Sequence, residues 1–206
     1  MTLNSLDFEY EFVAIPSDIV EFLQAIDHLV EQHRVNAPMN FRGFIPSDYL
    51  TIYACLKVIY DSHLRCGDRF CEWGSGVGVV ASLAAMVGYE SYGIEYDGNL
   101  CTVAEEICED FDVPVKLVNG SFIPEGVEDL IEDAFATHDG ELALHTDPDR
   151  AYDGIGYGIN DFDLVFAYPW PNDVELTHQV FDRCAARGAL LLAYYDDDAI
   201  ALYRKD

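Results

Sequence analysis

The segment from Arg69 to Glu95 constrains the fold of this chain more than any other. It contains a short apolar run, a glycine-rich turn, a helix of small residues that Gly88 ends, and a second apolar run that stops at Glu95. This change from strand to helix and back predicts a β-α-β unit with two parallel strands. Glycines at such a turn allow the backbone to bend tightly and to approach a ligand closely.

The turn and the acid after it predict a nucleoside-containing cofactor. Glu95 stands at the end of the second strand, about 20 residues after the turn, where a carboxylate can accept hydrogen bonds from both hydroxyls of a ribose. The cofactor is expected to lie across the carboxyl ends of a parallel sheet. The turn reads Glu72-Trp73-Gly74-Ser75-Gly76-Val77-Gly78.

Two cofactor classes use this geometry, and the spacing of the turn separates them. The dinucleotide fingerprint needs Gly or Ala where this chain has Val79, so an NAD-dependent oxidoreductase stays as a weaker alternative. The pattern E-x-G-x-G-x-G from Glu72 to Gly78 resembles motif I of the class I S-adenosylmethionine-dependent methyltransferases. Glu95 stands where that family keeps its ribose-binding acid. The resemblance implies an α/β, three-layer Rossmann-like fold with a mostly parallel sheet, and S-adenosylmethionine as the cofactor.

The resemblance also implies roles for individual residues. The turn would seat the methionine and sulfonium end of the cofactor, and Glu95 would hold the ribose. Ser121 and Phe122 follow the next predicted strand and would border adenine, although the family commonly has an acidic residue there. The residues expected to bind the cofactor are Glu72, Gly74, Ser75, Gly76, Gly78, Glu95, Ser121 and Phe122.

A proline-rich loop follows the apolar strand predicted over Asp163–Ala167. The loop is Tyr168-Pro169-Trp170-Pro171. It is similar in position to the Asn-Pro-Pro-Tyr motif of amino-directed methyltransferases but lacks the amide that holds the target nitrogen. Trp170 can receive a cation or a flat group, and Tyr168 can orient or deprotonate a nucleophile, so both are predicted to be catalytic. A rigid loop with an aromatic anchor is an equally weighted alternative. Tyr195, after a later strand, is expected at the same edge of the sheet.

The length of 206 residues suits a single domain. Residues 1–66 are predicted to form an N-terminal strand and helical extension, and residues 67–206 the cofactor-binding core. Alternation of aromatic and acidic residues over Phe8–Phe12 predicts the strand. The segment Phe44–Tyr49 either closes over the cofactor or simply begins the next helix.

An acidic insertion at 121–162 interrupts the core. It is predicted to contain one helix near Val127–Phe135, then a loop with Pro148 and a tyrosine- and glycine-rich run over 152–158. This loop is either a mobile lid or, slightly favoured, a disordered surface loop. Little chain remains for the strand hairpin that usually closes the family's sheet. We therefore expect a sheet that is shortened at its C-terminal end or supplemented by the N-terminal strand.

The net charge of −27 limits the possible partners. Such a surface repels phosphate backbones, so nucleic-acid binding is not expected. It attracts cations, such as a basic protein or an amine, although a salt-adapted surface is equally compatible. The cysteines form no CxxC pair and the histidines no HExxH pattern, so no metal site is expected. The sequence has no apolar run of bilayer length and no signal peptide, which predicts a cytoplasmic protein without membrane contacts.

Methyl transfer from a sulfonium needs alignment more than acid–base groups, because the electrophile is already activated. The sequence therefore predicts a methyltransferase whose acceptor, a protein side chain or a small molecule, is not identified. The alternative is a non-catalytic methyltransferase-like module that binds the cofactor and docks a basic protein partner.

Overall fold

The computed structural model describes residues 3–10, 13–36, 44–137, 142–146, 150–196 and 199–206. Within them, one sheet of seven strands is flanked by helices. The strands are β1 (Leu3–Leu6), β2 (Arg69–Trp73), β3 (Glu90–Glu95), β4 (Val115–Asn119), β5 (Leu164–Ala167), β6 (Leu190–Tyr194) and β7 (Ile200–Lys205). The helices are α1 (Ser17–Asn36), α2 (Tyr49–Asp61), α3 (Val79–Val87), α4 (Gly98–Asp110), α5 (Glu128–Thr137), α6 (Ala151–Ile155) and α7 (Val174–Cys184).

The strand order β1-β7-β6-β5-β2-β3-β4 confirms the predicted, mostly parallel sheet. The five strands from β2 to β6 run parallel, and β7 is antiparallel to both β6 and β1. The chain moves outward from β2 to β3 and β4, then returns to β5 on the other side of β2. This reversal of strand order opens a crevice at the carboxyl ends of β2 and β5, where ligands bind in open α/β sheets.

The two faces of the sheet pack against different helices, which gives three layers. Phe70, Phe166 and Leu192 belong to one buried cluster, which also contains core residues of α1 to α4. Cys71 and Val165 belong to a second cluster with residues of α5, α6 and α7. Successive strand residues point to opposite faces, so these buried strands carry apolar side chains on both sides.

The glycine-rich turn packs closely against β3 at Gly93. A Cβ atom at Gly93 would lie 2.8 Å from Leu117 Cδ2 and 2.9 Å from Ser75 Oγ. Because Ser75 is buried and Leu117 is partly buried, we expect Gly93→Ala to lower the free energy of unfolding by about 1–3 kcal/mol. Urea denaturation measures this. Gly98→Ala is the matched control, since its new Cβ would meet nothing closer than 3.6 Å. An equal loss in both variants would contradict the packing argument.

The N-terminal strand lies earlier in the chain than predicted. The strand is β1, over Leu3–Leu6, and not Phe8–Phe12, of which residues 11 and 12 lie outside the described residues. Phe8 and Tyr10 have no regular structure; their rings lie 5.2 Å apart and pack, partly buried, against the core. Their alternation therefore reflects aromatic packing and not a strand ladder. The pairing of β1 with β7 supplements the sheet, so β7 is not its edge.

The described part of the acidic insertion packs against the sheet, so the disordered surface loop was a wrong prediction for these residues. The predicted helix is present as α5, which buries Ile131 and Ala134. The first part of the tyrosine- and glycine-rich run belongs to α6, and the Tyr152 hydroxyl donates to the Phe122 carbonyl at 2.9 Å. Apolar residues spaced along the insertion supply this packing. Pro148 lies outside the described residues.

Candidate functional site

A cavity of about 310 Å³ opens at the carboxyl ends of the strands, at the reversal of strand order. Cavities of this size accommodate small ligands. Its wall combines the turn after β2, the end of β3, the residues after β4 and the loop after β5. Nine of the ten residues predicted for the site line it: Glu72, Gly74, Ser75, Gly76, Glu95, Ser121, Phe122, Tyr168 and Trp170.

The glycine-rich turn requires its glycines for backbone reasons. Gly74, Gly76 and Gly78 have φ of +69°, +54° and +73°, in the left-handed region that L side chains rarely adopt. Gly78 does not line the cavity. It precedes α3, and a Cβ there would lie 3.1 Å from Ala104 Cβ. Gly78 therefore shapes the turn from behind, through helix packing.

Glu72 is a buried carboxylate near the end of β2, with 5% of its surface exposed. One of its oxygens accepts a hydrogen bond from the Ala81 N–H in α3 at 2.8 Å. Burial raises its pKa well above the usual value, and the charge of Glu95 adds to this effect. Glu72 is thus poised to gain from any positive ligand group that enters the cavity.

Glu95 links the end of β3 to the glycine-rich turn. Its Oε2 accepts from the Gly76 N–H at 2.7 Å, and its Oε1 accepts from the Asp97 N–H at 2.8 Å. Burial raises the pKa of Glu95, and the two backbone N–H groups oppose that rise. An ionised carboxylate can accept about four hydrogen bonds, so capacity to accept from a ligand hydroxyl remains beside the turn.

The segment Phe44–Tyr49 lies over the turn and also begins a helix. The Phe44 ring covers Gly76 so closely that a Cβ there would lie 2.8 Å from a ring carbon. Asp48 caps α2 by accepting from the Thr51 N–H at 3.2 Å. The interpretation that this segment begins the next helix is confirmed, and closure over a ligand stays a prediction.

Residues 142–146 of the insertion lie against the cavity and are held at three points. The Ser121 hydroxyl donates to the His145 carbonyl at 2.9 Å. The His145 ring stacks on the Tyr96 ring, with centroids 3.4 Å apart and planes 13° apart. The Asp173 carboxylate accepts from two backbone N–H groups of the segment, at 3.0 and 3.1 Å. A nucleobase that forms a hydrogen bond with the Ser121 hydroxyl would compete with the His145 carbonyl for it.

The far end of the cavity is aromatic. The Tyr168 hydroxyl donates to Asp196 Oδ1 at 3.3 Å, and its ring packs edge-on against Tyr194 with centroids 4.9 Å apart. Trp170 is 40% exposed at the mouth. The proline-rich loop thus presents two aromatic side chains to the cavity.

Tyr195 does not line the cavity, contrary to expectation. Its hydroxyl lies 3.0 Å from His178 Nε2 and 3.2 Å from the Tyr203 hydroxyl, beneath α7. Strand alternation explains this, because one residue further along the chain points to the other face. Sequence reasoning missed other cavity residues as site residues, namely Tyr96, Asp97, His145, Asp173, Thr177 and Asp196.

The wall of the cavity is acidic. In the described part of the chain, the charged residues that line it are carboxylates, with no lysine or arginine among them: Glu72, Glu95, Asp97, Asp173 and Asp196. The described residues contain no cluster of three or more side chains suited to a metal ion. No helix among them is long and apolar enough to cross a bilayer.

Comparison with solved structures identifies the fold. An RNA methyltransferase from Salinibacter ruber, in complex with S-adenosyl-L-homocysteine, matches with a TM-score of 0.52 at 15% identity, over 78% of this chain and 92% of that one. An O-methyltransferase from Bacillus cereus (TM-score 0.49, 13% identity, 89% and 68% covered) and cofactor-bound Rv0187 from MTB (TM-score 0.49, 18% identity, 88% and 73% covered) are also similar. No protein-family model and no curated protein matches the sequence. The chain therefore has a Rossmann-like α/β fold similar to that of the Salinibacter ruber methyltransferase.

Proposed function

We propose that the protein binds S-adenosylmethionine in this cavity and transfers its methyl group to an acceptor, either a protein side chain or a small molecule. The observation that carries the proposal is the convergence of the glycine-rich turn, Glu72 and Glu95 on one wall of the cavity. Bound there, the cofactor would supply an activated methyl group. The residues of the chain then have to bind the cofactor and the acceptor, align them for the transfer, and exclude water.

The cationic groups, the ribose and the adenine of the cofactor each have a chemically suitable partner on this wall. The Glu72 carboxylate suits the ammonium and sulfonium groups, while the glycines of the turn allow the backbone close to the ligand and Gly78 supports the turn from behind. The remaining hydrogen-bonding capacity of Glu95 suits the ribose hydroxyls. Ser121 and Phe122 suit the adenine end, where Phe122 is held flat against Trp73 with ring centroids 4.8 Å apart.

The charge of the wall supports a cationic acceptor. The Salinibacter ruber protein acts on RNA, but the carboxylates that line this cavity would repel a phosphate backbone. A basic protein or an amine is attracted by the same charges. We therefore favour a cationic acceptor that enters past Tyr168 and Trp170.

Calorimetric titration tests the cofactor proposal. S-Adenosylmethionine and S-adenosylhomocysteine should both bind with one site per chain, and NADH should not bind. Saturable binding of NADH together with no binding of either methionine compound would favour the oxidoreductase alternative. Radiolabelled methyl transfer to amines and basic proteins then separates an enzyme from a module that binds the cofactor without catalysis.

Trp170→Ala should lower methyl transfer at least tenfold while the affinity for S-adenosylmethionine changes less than twofold. The reason is that Trp170 lies at the mouth, apart from the turn, and its exposed ring contributes little to the core. Turnover and calorimetry measure the two effects. Phe135→Ala is the control, because Phe135 is similarly exposed (38%) and does not line the cavity. Loss of cofactor affinity along with turnover would indicate a structural role for Trp170.

A further inference from the structure

The helix after the proline-rich loop carries two buried polar side chains at the acceptor end of the cavity. Asp173 immediately precedes α7, and Thr177 lies one turn further on. Both line the cavity, and each is 1% exposed. Side chains four positions apart lie on the same face of a helix. The carboxylate and the hydroxyl therefore form one polar patch, which adjoins Trp170 on the wall.

The hydrogen bonding of this patch indicates that it can bind a ligand. Thr177 Oγ1 is buried and has no hydrogen-bond partner among the described residues. Buried hydroxyls in native proteins are nearly always hydrogen-bonded. The Asp173 carboxylate beside it accepts N–H groups from residues 142–146, which hold its acceptor oxygens in place. A ligand with two donor hydrogens would satisfy Thr177 and meet the acceptor oxygens of Asp173.

The chemistry of the surrounding wall selects the kind of donor. The described charged residues of the wall are acidic, so a second negative group beside Asp173 would be repelled. The exposed face of Trp170 attracts cations. An amine meets all of these conditions, because it offers N–H donors, no negative charge, and a positive form that the wall attracts.

We propose that Asp173 and Thr177 bind the nucleophilic nitrogen of the acceptor, and that the acceptor is an amine; this rests on the proposed function. The neutral amine donates its N–H groups to the two oxygens, and its lone pair attacks the methyl carbon. The N–C bond forms while the C–S bond breaks. Positive charge moves from sulfur, which leaves as a neutral thioether, to nitrogen. An amine that arrives protonated first gives its proton to solvent.

Three matched probes test the inference: benzylamine, benzyl alcohol and benzoate share a flat ring and differ in charge. Each is titrated by calorimetry into the full chain saturated with S-adenosylhomocysteine. Benzylamine should bind at least tenfold more tightly than benzyl alcohol, and benzoate should not saturate. Equal affinity for benzylamine and benzyl alcohol, or no binding of benzylamine, would overturn the inference. Failure of the proposed function is distinguishable, because S-adenosylhomocysteine itself would then not bind.

Two variants assign the binding to the patch. Thr177→Val preserves shape and removes a hydroxyl that has no partner among the described residues, so it should fold normally and weaken benzylamine binding about fivefold. Asp173→Asn should weaken benzylamine at least tenfold. Affinity for S-adenosylhomocysteine should stay within twofold in both variants. Thr102→Val is the control, since Thr102 is exposed on α4 and bonds to the Gly98 carbonyl. Unchanged benzylamine affinity in Thr177→Val would contradict the role of Thr177, whatever Asp173→Asn does to folding.

Discussion

Replacing Glu95 with glutamine is expected to weaken S-adenosylmethionine binding by about 5- to 150-fold, which corresponds to about 1–3 kcal/mol. The carboxylate has two oxygens, and each already accepts a backbone N–H, from Gly76 and from Asp97. Glutamine keeps one acceptor oxygen and places an NH₂ group against one of these donors. It therefore loosens the turn and also loses the charge-assisted bonds proposed for the ribose.

Calorimetry with both S-adenosylmethionine and S-adenosylhomocysteine tests this role sharply. The two compounds carry the same ribose, so Glu95→Gln should weaken them to the same degree, within about twofold. Glu109→Gln is the control, because it removes an equal charge from an exposed position on α4. A loss confined to the sulfonium compound would assign Glu95 to charge recognition instead of ribose binding. Unchanged affinity for both compounds would remove Glu95 from the site.

The fold around the turn could be predicted from the sequence because its signals are local. The apolar run of β2, the positive-φ glycines and the small residues of α3 are neighbours in sequence, and each favours the same structure. The position of Glu95 could be predicted because the strand β3 ends at this residue. The cavity residues predicted from these elements, apart from Gly78, line one wall.

The part of the site beyond the turn depends on contacts between distant residues, which local patterns do not specify. Asp173 reads in sequence as a helix cap, yet its side chain holds residues 142–146, about 30 positions earlier. His145 reaches Tyr96 across the insertion. No periodicity marks either pairing. By contrast, Tyr96 and Asp97 follow Glu95 directly, so their place on the wall could have been inferred from the end of β3.

The wrong prediction for the position of the N-terminal strand has a related cause. The segment Leu3–Leu6 is too short to show clear alternation, and its place in the sheet depends on pairing with β7, about 200 residues later. Phe8 and Tyr10 give the stronger local signal because large aromatic residues also pack against a core without forming a strand. Tertiary pairing therefore decided the position of this strand.

The buried carboxylate of Glu72 should make the free protein less stable as the pH rises. In the unfolded chain this group titrates near 4.5, and burial raises its pKa well above that value in the folded protein. The folded state therefore keeps a proton over a pH range in which the unfolded state has lost it. Stability then falls as the pH rises from about 4.5 until the folded group ionises. Glu95, whose pKa is also raised by burial, contributes in the same direction.

Glu72→Gln should therefore raise the melting temperature at pH 8 by at least about 3 °C. A pKa shift of one unit corresponds to about 1.4 kcal/mol of stability, and in a domain of this size that free energy shifts the melting temperature by about this amount. Glutamine keeps an oxygen for the Ala81 N–H and removes the buried charge. At pH 4, below both pKa values, the variant should gain little. Thermal melts across this range measure the difference. Glu109→Gln again removes one exposed charge. Comparison of the two variants therefore separates the effect of burying a carboxylate from the effect of reducing the net charge of −27.

Glu72→Gln should also weaken the binding of S-adenosylmethionine. This effect distinguishes a carboxylate that binds the ligand from one that only destabilises the fold. A positive ligand group beside Glu72 favours its ionised form, so binding releases a proton and the affinity for S-adenosylmethionine rises with pH in the wild type. In Glu72→Gln the affinity should fall at least tenfold at pH 8 and depend less on pH. Calorimetry in buffers of different ionisation enthalpy counts the protons released. A variant that is more stable and binds as tightly as the wild type would show that Glu72 does not contact the cofactor.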